Sequence, residues 1–494
     1  QPVPQATQTR DRFVATSGQT SFATSGYTPG FVDVYLDGVK LDSAEYTATN
    51  GSDVVLATGA STGQILEVVA FSSFDVADIR NMTQPLGLKS YTTTERNALS
   101  NIGAGDTIYN STTGSIEFYD GANWIATNLI PTVNSVSGTI YAGVASTLTL
   151  SLTNATDSVT VRFSEGGATI EDVTDVTVSS GSASVTVPSA VYGQSAGDTL
   201  TVSILNQDGT PSSNQITKTV VGIPSGGTVS DSGGYRYHTF TSSGTFTVPS
   251  GFSTTAQVLV VAGGAGGGGE HGGGGGAGGY IATTSSISSN SYSITVGAGG
   301  AGSTSPRPGQ YGGDGGNSSA FGSTAIGGGS GGYRYANGRS GGSGGGAGAD
   351  GDFSVGGSGT SGQGFAGGGS TGYGDPYQGG GGGGASEPGV TAQSGTNIAT
   401  NGGDGKQWLD GNYYAGGGGG GVAYTGSEVY GLGGAGGGGR GATQTATAVS
   451  GTPNTGGGGG GANRYEASSN HYESSIGPAG SGGSGIVIVR YQLP

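Results

Sequence analysis

The sequence predicts an all-β protein built from small β modules, an immunoglobulin-like β-sandwich and a C-terminal glycine-rich region. Over the first half of the chain, apolar and polar residues alternate in short segments separated by Gly, Asn, Asp and Pro. That period of two is typical of β-strands with one buried face. The second observation is that most of the 112 glycines among 494 residues stand after residue 262, in short runs that recur between loops.

Residues 1–78 are predicted to form a β-hairpin module. Asp37-Gly38 lies in the middle of the alternating segment Phe31–Leu41, which is a strong signal for a hairpin with a type I′ turn. Asn50-Gly51 predicts a second turn of the same kind. The apolar segment Ile65–Phe71 is expected to be the last strand of this module.

Residues 79–130 predict a small β-meander module with one short helix. Thr92 precedes Glu95 by three residues, which is the spacing of a capping box at a helix N-terminus. Tyr119 and Trp124 are expected to anchor its small core. A module this thin buries little apolar surface, so we expect it to need neighbours or oligomerisation.

Residues 131–222 predict the immunoglobulin-like β-sandwich. Five alternating segments are separated by Gly, Asp, Asn and Pro, as in sandwiches of this type. The chain has no Cys, so the likeness rests on the strand pattern and not on a disulfide. Residues 223–234, rich in Gly and Ser, are predicted to be a linker.

Residues 235–494 predict a compact glycine-rich domain framed by two β-forming segments, Val258–Val261 and Ile486–Val489, which we expect either to pair or to lie on one base. Between them the glycine runs are spaced too evenly for a disordered linker. A polyglycine II helix has three residues per turn, rises about 3.1 Å per residue and has no internal hydrogen bonds. Without Cβ atoms such helices pack closely, and their backbones hydrogen-bond to one another. The sequence thus predicts a sandwich of polyglycine II helices.

Composition and motifs exclude several classes of function. A net charge of −16 argues against binding nucleic acid through its phosphates, and no apolar run has the length of a membrane span. The three His are scattered and Cys is absent, so no metal site is predicted. There is no Gly-Lys-Ser/Thr phosphate loop and no nucleophile elbow with its partners. We therefore expect a non-enzyme that uses no cofactor.

Several motifs of the glycine-rich region resemble one known family. They are "HTFTSSGTFTVPSG", "VLVVAGGAGGGG", "YSITVGAGGAG", "NTGGGGGG" and "GGSGIVIVRY", which occur in this order between residues 238 and 491. The region resembles the glycine-rich receptor-binding domain of bacteriophage tail fibres, notably those of marine and cyanobacterial phages. It is also similar in construction to the tail-fibre adhesins of T-even-like phages. More loosely, residues 13–71 and 90–124 resemble modules of phage fibre shafts.

The resemblance implies a phage tail fibre protein, located on the virion outside the cell, that attaches the particle to the host surface. Its β modules would form a shaft, generally a homotrimer, that binds other tail-fibre or baseplate proteins. The receptor would be a glycan or an outer-membrane protein. Two alternatives remain open, a bacterial extracellular adhesin and a capsid-attached fibre. A secretion signal or cell-wall anchor would favour the adhesin.

Loops between glycine runs supply the candidate receptor contacts. Successive loops should lie at opposite ends of the sandwich, so 303–311, 333–340, 370–378 and 406–415 are predicted at one end, and 317–326 and 349–355 at the other. The first set is rich in Tyr, Trp and Arg, which are typical of recognition surfaces. For each residue the alternative is a side chain that packs on the glycine helices. The predicted contacts are Tyr333, Arg334, Tyr335, Arg339, Tyr373, Asp375, Tyr377, Trp408, Tyr413 and Tyr414.

Overall fold

A computed structural model describes most of the chain, and its regular structure is almost entirely β, which confirms the predicted class. The chain divides into two compact units, residues 1–127 and 128–494, and each is treated by itself below. The described residues are 7–72, 88–113, 115–127, 130–304, 309–349, 353–371, 377–393, 396, 398, 400–423, 429–443, 445–463, 465–466, 473–474 and 477–493.

The first module of unit 1–127 consists of two small sheets around one core. Its strands are β1 (Thr7–Val14), β2 (Gln19–Ala23), β3 (Val32–Leu36), β4 (Val39–Lys40), β5 (Tyr46–Thr47), β6 (Asp53–Ala60) and β7 (Ile65–Ser72). The sheets have the orders β1-β7-β3-β4 and β2-β6-β5. Alternate residues of the strands point inward, and Phe22, Val34, Val54 and Leu66 are almost fully buried between the sheets.

The two predicted turns of this module differ. Asp37 and Gly38 have φ of 50° and 83°, so the type I′ hairpin between β3 and β4 is confirmed. At Asn50-Gly51 the prediction is wrong, because the first pair between β5 and β6 is Thr47 with Val55 and a longer loop separates the strands. There the Asn50 carboxamide oxygen accepts hydrogen bonds from the backbone N–H groups of residues 52 and 53, at 3.0 and 2.8 Å. The Asn50 side chain thus stabilises a local turn in place of the predicted two-residue type I′ turn.

The second module carries the predicted short helix and meander. Its elements are β8 (Ser90–Tyr91), α1 (Thr93–Asn97), β9 (Thr107–Asn110), β10 (Ser115–Tyr119) and β11 (Trp124–Thr127). Thr92 and Glu95 form both hydrogen bonds of the capping box. The Tyr119 and Trp124 rings lie 5.4 Å apart. The sheet order is β11-β10-β9-β8, so the meander is confirmed.

Residues 131–222 fold as a β-sandwich. Its elements are β12 (Thr132–Ser137), β13 (Ile140–Tyr141), β14 (Thr147–Thr153), β15 (Ser158–Glu165), β16 (Ala168–Ser179), β17 (Ser182–Thr186), α2 (Ser189–Tyr192), β18 (Thr199–Asn206) and β19 (Ile216–Val221). The order is β12-β14-β17-β16-β15-β18-β19-β13, and the long β16 passes from one sheet to the other. Alternating Leu, Val, Ile and Phe side chains fill the core between the sheets. Five of these strands are those predicted, so the sandwich is confirmed.

The glycine-rich region begins and ends in one sheet. Its strands are β20 (Thr228–Ser232), β21 (Tyr235–Phe240), β22 (Gly244–Val261), β23 (Tyr280–Ile294) and β34 (Ile486–Gln492), in the order β20-β21-β34-β22-β23. Val258 pairs with Val489, which is one of the two expected arrangements. Residues 223–234 are part of this sheet and not a linker, because β20 pairs with β21 along its whole length.

Short two-stranded ladders join many of the glycine segments. They are formed by β24 (Ser318–Ala320), β25 (Ser323–Ala325), β26 (Ser370–Thr371), β27 (Tyr377–Gln378), β28 (Ala392–Gln393), β29 (Lys406–Gln407), β30 (Tyr413–Tyr414), β31 (Val422–Ala423), β32 (Tyr465–Glu466) and β33 (Glu473–Ser474). The pairs are β24 with β25, β26 with β28, β27 with β31, β29 with β30, and β32 with β33. These ladders hold the loops at the ends of the glycine segments.

The glycine segments hydrogen-bond to one another with a period of three residues. In 262–269, residues i and i+3 donate to the same neighbouring segment, as a helix with three residues per turn requires. The backbone N–H to carbonyl pairs are Gly263 to Gly316 and Gly266 to Gly313, Gly264 to Gly483 and Gly267 to Gly480, and Ala265 to Gly276 and Gly268 to Gly273, all at 2.9–3.0 Å. This central helix therefore contacts three neighbours at once, which confirms the polyglycine II architecture.

Close backbone approach explains why these positions are glycine. A Cβ atom built on Gly263 would lie 2.0 Å from the carbonyl oxygen of Ala298, and one on Gly275 would lie 2.1 Å from that of Ala265. Real Cβ atoms never approach backbone oxygens so closely, so any side chain there would push the helices apart. Ala265 itself is fully buried. The array thus accepts a methyl group only where the spacing of the helices leaves room for it.

The two faces of the five-stranded sheet pack on different parts of unit 128–494. On one face Phe252 contacts Tyr141 of the sandwich, with ring centroids 5.8 Å apart. The opposite face carries Leu259 and Ile488, which pack on Trp408 and Tyr414. The sheet therefore joins the sandwich to the glycine helices.

Candidate functional site

The glycine array has two ends, which we name by the elements found there. At the sheet end, residues 262 and 279 continue into β22 and β23. At the far end, the central pair of helices turns at Glu270-His271. The backbone N–H of Arg334 donates to the Glu270 carbonyl and that of Ala349 to the His271 carbonyl, both at 3.0 Å. Residues near 334 and 349 therefore lie at the far end.

The turn at Glu270-His271 is held from several sides. Both residues have positive φ, 45° and 51°, a conformation that costs free energy in residues other than glycine. The Glu270 carboxylate forms an ion pair with Arg334 at 3.2 Å. The His271 ring stacks on the Tyr377 ring, with centroids 5.4 Å apart and planes 8° from parallel. Both turn residues are nearly buried, so they fix the neighbouring loops rather than offer much surface themselves.

Tyr333, Arg334 and Tyr335 form a tight turn beside this support. The N–H of Ala336 donates to the Tyr333 carbonyl at 2.8 Å. Tyr335 has a φ of 64° and is 55% exposed. The Arg334 guanidinium lies 4.8 Å from the centroid of the Tyr335 ring. The turn thus presents an aromatic ring to solvent and holds it with a cation–π contact.

A second aromatic contact extends the surface along the flank of the array. Tyr311 and Tyr333 meet edge to face, with ring centroids 5.0 Å apart. The Arg339 guanidinium lies 4.3 Å from the centre of the Tyr311 ring and 3.3 Å from the Asp314 carboxylate. We call the following residues the far-end cluster: Glu270, His271, Tyr311, Tyr333, Arg334, Tyr335, Arg339 and Tyr377.

Five predicted contact residues, Tyr333, Arg334, Tyr335, Arg339 and Tyr377, are therefore brought together by the fold. Tyr373 and Asp375 lie outside the described residues. Three cluster members were missed. Glu270 and His271 were taken as part of one glycine run, although an acid and an imidazole in its middle are the signal of a turn. Tyr311 lay in a loop predicted at the correct end, but was not singled out.

The predicted position of loop 406–415 is wrong. Trp408 and Tyr414 are only 7% and 6% exposed and pack on the five-stranded sheet at the sheet end. Tyr413 is 48% exposed, but it belongs to the same hairpin, β29–β30. The Tyr280 hydroxyl donates to the Gln407 carbonyl at 3.4 Å. This hairpin is thus a cover for the sheet.

The error in the loop count has a physical cause. Residues 336–342 cross the array although only three of them are glycine. Gly348 donates to the Ala336 carbonyl near the far end, and Gly342 donates to the Gly327 carbonyl near the sheet end. This unrecognised crossing returns the chain to the sheet end near residue 342, so Ala349 falls at the far end. The predicted place of 349–355 at the sheet end is therefore also wrong. By contrast 317–326 lies at the sheet end, as predicted, because β24 and β25 fall within it and Gly279 donates to the Ile326 carbonyl.

Two later reversals also enter the count. The chain turns at the sheet end near Gln363, whose carbonyl accepts from the Tyr280 N–H, which returns Tyr377 to the far end. Residues 389–392 then cross back to the far end, where Ala392 donates to the Gly369 carbonyl, so loop 406–415 falls at the sheet end.

Burial keeps the hydroxyls of Tyr280 and Tyr414 protonated over the physiological range. Burial, followed by the charge of Asp410, raises the pKa of Tyr280 to about 12. Burial also raises the pKa of Tyr414, whose hydroxyl donates to the Asp410 carboxylate at 2.7 Å. These hydroxyls therefore act as hydrogen-bond donors that hold the hairpin in place.

The glycine array matches a known protein family. A family model described as a glycine-rich domain matches residues 239–492, a little over half of the chain. The chain belongs to this glycine-rich domain family. In a search of curated proteins, none matched.

Among solved structures, one match is the Bacteroides ovatus mixed-linkage glucan utilization locus SGBP-B, in complex with a mixed-linkage heptasaccharide. It is 15% identical, and the match covers 57% of this chain and 87% of that chain, with a TM-score of 0.17. A TM-score this low supports no statement about the fold or the ligand of the glycine-rich domain.

The chemistry of the far-end cluster suits recognition. It offers aromatic faces, guanidinium groups and a carboxylate on a rigid backbone, and Tyr and Arg are enriched in binding surfaces. Within the described part of the chain, no three His, Cys, Asp or Glu side chains converge as metal ligands would. No helix among the described residues is long and apolar enough to cross a membrane.

Proposed function

We propose that this chain is a phage tail fibre protein that attaches the virion to the host cell through the far end of its glycine-rich domain. The observation that carries the proposal is the far-end cluster, in which exposed Tyr and Arg side chains are fixed on a hydrogen-bonded array. The sequence motifs that resemble phage fibres support the assignment to a virion. On this proposal the shaft is a homotrimer, bound to other tail-fibre or baseplate proteins.

Rigid support is what a recognition loop needs. A side chain that is already ordered loses little conformational entropy when it binds. In the cluster, Tyr335 is held over Arg334, and Arg334 is held by Glu270. Tyr and Arg supply much of the binding energy in protein interfaces, and a Tyr ring also stacks on the apolar face of a sugar. A host glycan and an outer-membrane protein both fit this surface.

The test is competition for adsorption by the full chain and two matched variants. Tyr335→Asn removes an exposed ring at the far end, and Asn tolerates the positive φ of that position. Tyr413→Ala removes a ring of similar exposure at the sheet end. Wild type and Tyr413→Ala are expected to block adsorption of the phage to its host, whereas Tyr335→Asn should need at least about tenfold more protein, or about 1.4 kcal/mol.

Two results would contradict the proposal. If the folded wild-type chain neither binds cells nor reduces adsorption, the glycine-rich domain is a structural cap and recognition lies elsewhere. If Tyr335→Asn and a second variant, Tyr333→Ala, compete as well as wild type, the far-end cluster is not the contact surface. Circular dichroism and thermal melting of every variant check that the fold is intact.

A further inference from the structure

A pocket of about 600 Å³ opens at the sheet end, between β23 and the hairpin β29–β30. Its volume lies in the range of small-ligand sites. It is separate from the far-end cluster, since it lies at the opposite end of the glycine helices. The residues that line it are Gln257, Tyr280, Ala282, Thr283, Thr284, Gln407, Trp408 and Leu409.

The floor of the pocket follows from the pairing of β22 with β23. Gln257 is opposite Thr284, and Leu259 is opposite Ala282. Tyr280, Ala282 and Thr284 alternate along β23, so their side chains share one face of the sheet. Ala282 is exposed although it stands two residues from the buried Tyr280. The small alanine methyl thus leaves the space that a larger side chain would fill.

Two aromatic residues of the pocket wall are fixed from behind. The Tyr280 hydroxyl donates to the Gln407 carbonyl at 3.4 Å, and the Lys406 ammonium lies 5.7 Å from the Tyr280 ring centroid. Trp408 meets the edge of Tyr237, with ring centroids 6.5 Å apart. The exposed parts of the Tyr280 and Trp408 rings therefore have defined positions before any ligand binds.

Gln257 adds a polar group with unused hydrogen-bonding capacity. Its Oε1 is buried and has no hydrogen-bond partner among the described residues. Leaving a buried polar atom without a partner costs free energy, so a ligand that satisfies it gains affinity. A half-turn of the carboxamide exchanges its oxygen for its NH₂ group, so Gln257 can offer either an acceptor or a donor to the pocket.

We propose that this pocket binds a neutral saccharide. None of the eight lining residues is acidic or basic, so the lining itself offers no charged partner to a ligand. The cations Lys406 and Arg490 contact lining residues, and both are engaged with aromatic rings, Lys406 with Tyr280 and Arg490 with Tyr235.

The exposed Leu409 and Ala282 side chains, with the small accessible parts of the Tyr280 and Trp408 rings, suit the C–H faces of a sugar. The amides of Gln257 and Gln407 and the hydroxyl of Thr284 suit sugar hydroxyls, which both donate and accept. The pocket therefore combines the two kinds of contact that a pyranose ring offers.

Trp408 provides the readout. The chain has two Trp, so the Trp124→Phe variant of the full chain leaves Trp408 as the sole tryptophan fluorophore. Maltose, lactose and mannobiose are titrated separately into this protein. At least one of them is expected to shift or quench the Trp408 emission saturably, with a Kd on the order of 1 mM, as fits a shallow open site.

A matched pair of substitutions locates the binding. Ala282→Leu fills the floor of the pocket and removes no contact, so it should weaken binding at least about tenfold. Ser286→Leu adds the same bulk on the same face of β23, outside the pocket, and should leave binding unchanged.

Two results would overturn the proposal: no emission change with any of the three sugars, or unchanged binding in Ala282→Leu. A sugar bound only at the far end would not change the Trp408 emission, and Ala282→Leu would not weaken its binding. The experiment therefore tests this pocket independently of the far-end cluster.

Discussion

His238 shows how one buried residue makes the stability of the glycine-rich domain depend on pH. It is completely buried between Phe246 and Tyr491, and its Nδ1 lies 2.8 Å from the Gly226 carbonyl oxygen. Burial lowers its pKa below 6.5, and nearby Arg236 lowers it further, while the Gly226 carbonyl acts in the opposite direction. The folded domain thus holds this imidazole in its neutral form at pH 7.

The first prediction concerns this imidazole. Because its pKa is lower in the folded than in the unfolded chain, the unfolded chain binds the proton more readily below pH 6.5, and stability falls as the pH falls through that region. Each unit of the difference corresponds to about 1.4 kcal/mol. Urea unfolding of the Trp124→Phe chain with and without His238→Gln, followed by Trp408 fluorescence, should show a difference in unfolding free energy that shrinks from pH 7.5 to pH 5. A difference that is constant with pH would refute this assignment.

At the scale of the element, the glycine helices are stabilised by backbone hydrogen bonds between neighbouring helices of the same chain and not by side chains. In residues 263–268 each backbone N–H donates to one of three neighbouring segments, so the central helix is hydrogen-bonded on three sides. Such helices lack internal hydrogen bonds, so each depends on its neighbours. A single added methyl group in the wrong place therefore disturbs several helices together.

The second prediction tests this packing with two Gly→Ala substitutions. A Cβ on Gly275 would meet the Ala265 carbonyl oxygen at 2.1 Å, whereas one on Gly244 would meet only the Phe240 ring, at 3.7 Å. We expect Gly275→Ala to lower the unfolding free energy by about 3 kcal/mol or more. Gly244→Ala should change it by less than about 1 kcal/mol. Chemical denaturation measures both, and equal effects would mean that the array relaxes freely around a side chain.

Element patterns also explain which parts of the fold were predictable. The Asp37-Gly38 turn and the Thr92/Glu95 capping box were predicted because neighbouring residues alone determine them. The turn at Glu270-His271 was missed because the two residues were taken as part of one glycine run, although they are its only non-glycine, non-alanine members. Trp408 was misplaced because its end of the array depends on how many crossings precede it.

At the scale of the whole molecule, the sandwich and the glycine-rich domain belong to one compact unit, 128–494. Tyr141 contacts Phe252, and Phe252 contacts Tyr491, with ring centroids 5.8 and 5.4 Å apart. Ser225, just after the sandwich, pairs with Thr247 of β22. This continuous apolar contact means that the sandwich supports the sheet on which the glycine helices begin and end.

The third prediction follows from that contact. Tyr141→Ala removes an aromatic pair between the sandwich and the sheet, so it should lower the unfolding free energy of unit 128–494 by about 1–3 kcal/mol. Tyr109→Ala, at a 39% exposed ring in unit 1–127, serves as the control. In the Trp124→Phe background, where Trp408 is the sole tryptophan, only Tyr141→Ala should move the fluorescence transition to lower urea. Identical transitions would show that the sandwich and the sheet are energetically independent.

The sequence by itself determined the all-β class, the strands of the sandwich, the two segments Val258–Val261 and Ile486–Val489 that frame the glycine-rich domain, and the use of glycine as the core. These follow from periodicity and from the absence of Cβ atoms, which are local properties of the chain. Only the tertiary structure decided that residues 223–234 belong to the sheet, which loops share an end, and that Trp408 lies in a pocket while Tyr335 lies in solvent. Those outcomes depend on how many segments cross the array and which backbones become neighbours, and contacts between residues far apart in sequence set both.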